Sequence, residues 1–469
     1  MAAPSAEFAF MTVAEASRLM ERREISSGEL AGALLERAQR LNPRLNSYIT
    51  IMADSAVAEA RRNDGGAARR RRRGALQGIP VSLKDLIWTK GVLTTCGSRV
   101  LADHVPDYDA TVVTRLKKAG AIILGKTHLQ EFAMGGTGTD SCFGPARNPW
   151  NAAHLTGGSS SGSGAAVAAG TAMAALGTDT GGSVRIPACL CGIVGFKQTF
   201  GLVSRMGVMP LSWTMDHVGP MTRTVEDAVI LLQAMVGPDP HDLSTTVARR
   251  RVPDYRAGLN GEIKGLRLGL IRELGAYKND PDVDAAFRQA LRVLEGLGCS
   301  VEEVSVPTIG QVSRFHPVIS FSEAVAAHRP YYPRYRELYG KTAVTRLDLA
   351  TLVRPSEYML CQRARTVFCR DVAKAFQQVD LLVTPSCPVP APRIDTKDVA
   401  SYGELSRYTR PFNDCGAPAI SVPCGFSRDG LPLGLQIAGR PFADDVVLRL
   451  AHAYEQATDW HTRRPEVGG

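Results

Sequence analysis

No uninterrupted apolar run of about 18 residues occurs in the 469-residue chain, so a membrane-spanning helix is not expected. The longest candidate, residues 165–176, stops early and is flanked by glycine and polar side chains. The N-terminus has no basic head followed by a continuous apolar core, which argues against a secretory leader. Ten cysteines are too few for a disulfide scaffold in a chain of this length. With no leader in view, they predict a reduced, cytoplasmic protein. Cys189 and Cys191 lack a matching cluster of nearby ligands, which argues against a zinc site. Gly125-Lys126-Thr127 lacks the upstream glycine loop of a phosphate-binding turn. No repeat of fixed period and no interdomain linker interrupts the chain, so a single domain over residues 1–469 is expected.

What is present is the composition of an ordinary globular protein, 44% hydrophobic and 22% charged. The net charge of +9 is partly local, in Arg61, Arg62 and Arg69 to Arg73. No aromatic residue interleaves with these arginines, so a solvated polar segment is favoured over a nucleic-acid surface. The chain is organised around residues 154–201, which hold two Gly-Gly-Ser turns, GGSSSGSG from Gly157 and TDTGGSVR from Thr178. The small-residue run between them reads as a buried helix, and the glycines as places where backbone approaches backbone or ligand.

Apolar spacing predicts packing helices within residues 12–62. One follows Thr12, one is capped by Ser26 or Ser27, and one spans residues 47–62. A short strand over 79–83 runs directly into Lys84, and a helix over 112–119 precedes a strand over 121–124, the habit of an α/β sheet. Further helices are predicted over 222–236, 281–296, 358–377 and 446–458, and strands over 266–270 and 380–384. Residues 301–306 suit an exposed or edge strand, and 419–422 with 433–438 an antiparallel hairpin. Residues 310–350 show no clear local pattern, and 238–350 is expected to be a variable excursion on the substrate side.

The segments IPVSLKD at 79–85, DATVV at 109–113, GAIILGKT at 120–127, GGSSSGSG at 157–164, LGTDTGGSVRIPA at 176–188, DHVGPMTRTVEDA at 216–228 and GAPAISVP at 416–423 resemble the amidase signature enzymes. The resemblance implies an α/β fold in which a large mixed β-sheet is covered on both faces by helices. It also implies a Ser–Ser–Lys triad, with Ser183 as nucleophile, Ser159 as bridging serine and Lys84 as base, and a cis peptide bond between Gly158 and Ser159. The backbone amides of Thr180, Gly181, Gly182 and Ser183 would form the oxyanion hole. Asp179 and Arg185 would brace that turn, and Ser160 would lend a supporting hydrogen bond. Phe132, Met134 and Gly135 are candidate walls of the acyl site, with ordinary loop packing as the other reading. Ser161 departs from the family's GGSSGGS pattern, as does GFKQTFG from GLKPTYG, and both changes bear on loop shape.

The chemistry follows from the residue types. A serine hydroxyl needs a base, and lysine serves only when neutral, which burial favours. Ser159 can accept a proton from Ser183 while giving one to Lys84. Two functional classes use this arrangement: stand-alone hydrolases, and the glutamine-hydrolysing A-type subunits of transfer-RNA-dependent amidotransferases. The chain lacks the GYYDAYY-like stretch and the acidic residue before the GLPAISVP-like segment that mark the second class. The expectation is therefore a stand-alone enzyme that hydrolyses a small or moderately apolar carboxylic amide to an acid and ammonia or amine. It would need no metal or organic cofactor and have no nucleic-acid or membrane partner; a homo-oligomer is left open.

Overall fold

In the computed structural model, which describes residues 8–67, 74–249, 252–396 and 404–467, eleven strands form one sheet. They are β1 (Tyr48–Ile51), β2 (Pro80–Lys84), β3 (Ile122–Thr127), β4 (Ala174–Asp179), β5 (Val194–Lys197), β6 (His217–Thr222), β7 (Arg267–Ile271), β8 (Ser300–Val304), β9 (Leu381–Pro385), β10 (Ala419–Phe426) and β11 (Pro432–Gly439). Their order is β1-β3-β2-β4-β6-β5-β10-β11-β9-β7-β8. β2 runs parallel to β3 and β4, and β7 to β8 and β9, while the other neighbours are antiparallel. This is the expected large mixed sheet.

Every residue of β2 to β6, β9 and β11 is buried, which requires helices on both faces. The main core joins Val13, Leu34, Leu83, Leu176, Leu231 and Leu448 from helices and strands far apart in sequence. β8 is an edge strand, as expected, and its exposed Glu302 and Glu303 discourage further pairing. The N-terminal helices Val13–Glu21 and Ser27–Leu45 start at capping boxes built by Thr12 with Glu15 and Ser26 with Glu29.

Several expectations are corrected. Residues 165–176 do not form one helix. The helix Ser161–Ala168 ends, Gly170 turns at φ +66°, and β4 follows. A Cβ at Gly170 would lie 2.4 Å from the Ala9 carbonyl oxygen, so close packing forces the break. Residues 47–62 divide into β1, which pairs with β3, and the helix Ala53–Ala67. Residues 222–236 begin with the end of β6, and the helix Val225–Met235 starts only after its cap at Thr224. Residues 310–350 contain the helices Val312–His328 and Lys341–Thr351; Pro317, inside the first, obscured its pattern. The stretch 238–350 is more than an excursion, because it supplies β7 and β8 to the sheet. Arg61 and Arg62 lie exposed on the helix Ala53–Ala67, whereas Arg69 to Arg73 lie outside the described residues. Among the described residues, no helix is long and apolar enough to cross a membrane.

Candidate active site

Lys84 is the last residue of β2, and the parallel register Leu83↔Leu176 sets it beside the C-terminal end of β4. Its Nζ donates to Ser159 Oγ at 2.7 Å and to Thr178 Oγ1 at 2.8 Å, and the side chain is fully buried. Burial pushes the ammonium down to about 7 against the opposing charges of Asp179 and Asp216. Asp85 does not face Lys84. Its carboxylate pairs with buried Lys126 at 3.2 Å and accepts from Thr95, as alternation along the strand requires.

Ser159 sits in the loop ahead of the helix Ser161–Ala168, and the Gly158–Ser159 peptide is cis. Ser160 ties this loop to β4: its hydroxyl donates to the Thr178 carbonyl and accepts from the Thr178 amide, both at 3.2 Å. The Ser160 amide donates to the Ser183 carbonyl at 3.3 Å, which joins the two Gly-Gly-Ser turns. Ser183 lines a cavity of about 470 Å³. No hydrogen bond joins its hydroxyl to Ser159 among the described residues.

Asp179 and Arg185 brace the second turn. Both are fully buried, and two hydrogen bonds, at 3.0 and 2.9 Å, link the guanidinium to the carboxylate. Burial alone would raise the Asp179 carboxyl, but Arg185 holds it well below the usual carboxylate range. Arg185 also donates to Gln436 Oε1, Asn413 Oδ1 and the Thr409 carbonyl, so the pair anchors the turn to β11 and to the helix Arg410–Asp414.

This bracing engages one of the four amides expected to form an oxyanion hole. The Gly182 amide donates to Asp179 Oδ1 at 2.8 Å and so is occupied. No described residue accepts from the amides of Thr180, Gly181 or Ser183, which leaves those three free for a developing negative charge. Thr180 and Gly181 line the cavity with Ser183, and the Thr180 hydroxyl donates to Asp216 Oδ1 at 2.5 Å. Gly182 adopts φ +127°, and a Cβ there would come within 2.1 Å of Thr409 Oγ1, so only glycine fits.

Of the three candidate walls, only Gly135 lines this cavity. Phe132 turns inward, with its ring 4.5 Å from that of His328 and 5.3 Å from that of Tyr339. Met134 is buried in the core and offers its carbonyl to Arg346. The backbone at Phe132, φ 47°, redirects these side chains in a way no sequence spacing reveals.

Sequence reasoning missed four residues. Thr178 stands within LGTDTGGS and was accessible as a hydroxyl next to the turn. His316 and Arg346 line the cavity from helices within 310–350, where the sequence shows no clear pattern, and Arg410 lines it from the short helix Arg410–Asp414. His316 Nδ1 lies 2.9 Å from Asp414 Oδ2.

A family profile described as Amidase matches residues 29–448. The A-type subunit of the glutamyl-tRNA(Gln) amidotransferase of Moorella thermoacetica is 43% identical, with 98% of this chain and 99% of that protein covered. The solved structure of the corresponding Thermotoga maritima protein superposes with a TM-score of 0.86 at 36% identity, covering 98% of this chain and 99% of that one. The peptide amidase PAM, solved with the competitive inhibitor chymostatin, gives a TM-score of 0.87 at 33% identity, covering 98% and 99%. These findings overturn the expectation of a stand-alone small-amide hydrolase without a nucleic-acid partner. The similar curated proteins are subunits named for glutamyl-tRNA(Gln), and the likeness runs through the whole chain. The local departures that suggested otherwise fall in short stretches around the cavity wall, too small a part of the chain to outweigh it. With the fold, the two serine turns and the matched span in agreement, the chain belongs to the amidase family, enzymes that act on carbon–nitrogen amide bonds.

Proposed function

We propose that this chain works as the A-type component of a transfer-RNA-dependent amidotransferase, releasing ammonia from the side-chain amide of glutamine. The observation that carries this reading is the near end-to-end likeness, at 43% identity, to the corresponding component of a glutamyl-tRNA(Gln) amidotransferase.

In the proposed mechanism Ser183 Oγ attacks the amide carbon. Ser159 takes the Ser183 proton as it passes its own to neutral Lys84. The C=O π pair moves onto oxygen, and the free amides of the turn, from Thr180, Gly181 and Ser183, receive that charge. Lys84 then returns a proton through Ser159 to the amide nitrogen, the C–N bond breaks, and ammonia leaves. Water, deprotonated through the same relay, attacks the ester carbon and frees Ser183 with glutamate as the second product. The 2.7 Å contact between Lys84 and Ser159, and a lysine brought to about 7, support this chemistry.

The test is ammonia release from glutamine, with mass spectrometry of the protein during turnover. Ser183→Ala is expected to abolish both ammonia release and the acyl-protein adduct. Lys84→Ala is expected to lower turnover by at least about 10³-fold, the upper range for loss of a general base. Persistence of the adduct in Ser183→Ala would remove Ser183 from the nucleophile's role.

A further inference from the structure

We propose that Arg410, acting with Arg346, selects the amide donor by its free carboxylate and that the donor's α-ammonium is not required. This rests on the reading of Ser183 as the nucleophile for a glutamine-like amide, and it goes further by naming the group the cavity recognises.

Both arginines line the cavity that holds Ser183. Arg410 stands beside the oxyanion turn: a Cβ on Gly181 would lie 3.3 Å from Arg410 Cγ. Arg346 closes the other side, with Nη1 3.1 Å from the position of a Cβ on Gly135. Arg346 donates one N–H to the Met134 carbonyl and lays its guanidinium over the Phe321 ring at 5.2 Å. The Arg410 guanidinium makes no hydrogen bond or ion pair with any described residue. The carboxylates whose charge it feels are Asp414, which faces His316 Nδ1, and Glu404, which pairs with Arg407. A partly buried arginine with its fork unengaged, lining the same cavity as Ser183, is a carboxylate receptor in want of a ligand.

The acidic side of the cavity is weaker. Asp140 is the carboxylate that lines it; the residue is exposed, and its Oδ2 already accepts from Gln130 Nε2 at 2.9 Å and Thr342 Oγ1 at 2.8 Å. An exposed, shared carboxylate contributes little to holding an ammonium, whereas charged hydrogen bonds from partly buried guanidiniums contribute more. Charge balance in the cavity therefore favours a donor that brings a negative group.

The experiment measures ammonia release by the full chain, expressed with its companion subunits, from glutamine, from glutaramate (which keeps the carboxylate but lacks the ammonium) and from butyramide (which lacks both). Expected are kcat/KM values for glutamine and glutaramate within about fivefold of each other, and a value for butyramide at least about 100-fold lower. Arg410→Met is expected to raise KM for the two carboxylate donors about 10- to 100-fold with a much smaller change in kcat, and Arg410→Lys to recover part of the loss. Glutaramate turnover 100-fold below glutamine, or butyramide turnover equal to glutamine, overturns the proposal while leaving Ser183 as the nucleophile. Release from none of the three donors overturns the underlying reading as well.

Discussion

At the scale of single residues, the proposed mechanism depends on an amine that is neutral near pH 7. Burial brings Lys84 to about 7, and only its unprotonated form has a lone pair to accept the serine proton. The rate of ammonia release should therefore fall as pH drops through that value, about tenfold per unit on the acid limb, and level off above it. A kcat/KM profile from pH 5.5 to 9 checks this; a profile flat through pH 7 would count against Lys84 as the base. Gly182 shows a comparable constraint in backbone form. Its conformation and its closeness to Thr409 exclude any side chain, and its amide is held by Asp179, so it shapes the turn while its neighbours face the cavity.

At the scale of elements, the second Gly-Gly-Ser turn is held by one buried ion pair that reaches three separate parts of the chain. Arg185 starts the helix Arg185–Cys191, Asp179 ends β4, and the guanidinium extends to Gln436 on β11 and Asn413 on the helix Arg410–Asp414. Removing one partner leaves the other charge buried without compensation. Arg185→Met is expected to destabilise the fold by about 3–5 kcal/mol and to lower activity more steeply than the fraction folded explains. Denaturant unfolding monitored alongside ammonia release separates the two effects. A loss within about 1 kcal/mol, the net worth of an ordinary hydrogen bond, would mean that the bonds of Asp179 to the Gly182 and Val184 amides hold the turn alone.

At the scale of the whole molecule, the proposed function, drawn from likeness along 98% of the chain to a subunit of an amidotransferase, predicts assembly with further subunits. Co-expressed with the other subunits of such an enzyme, the 50.4 kDa chain should elute in a larger complex, and its ammonia release should rise when glutamyl-tRNA is supplied. Size-exclusion chromatography with a coupled ammonia assay tests this. A chain that stays monomeric beside those subunits, with full activity in their absence, would not fit.

Much of this protein is determined by sequence alone. Period-two and helical apolar patterns, with caps such as Thr12 and Ser26, are set by local sterics and hydrogen bonding, so β2, the helix Pro281–Gly296 and the β10–β11 hairpin can be read without coordinates. Lys84, Ser159 and Ser183 are legible through the resemblance carried by IPVSLKD, GGSSSGSG and LGTDTGGSVRIPA, and their spacing along the chain alone does not assign the proposed roles. Only the tertiary structure decided that Gly182 commits its amide to Asp179, that Phe132 and Met134 point away from the cavity, and that Arg346 and Arg410 enter it. Those outcomes depend on backbone direction and on contacts between residues far apart in sequence. Arg410 is brought to Gly181 by the folding of the sheet, and no spacing along the chain encodes that meeting.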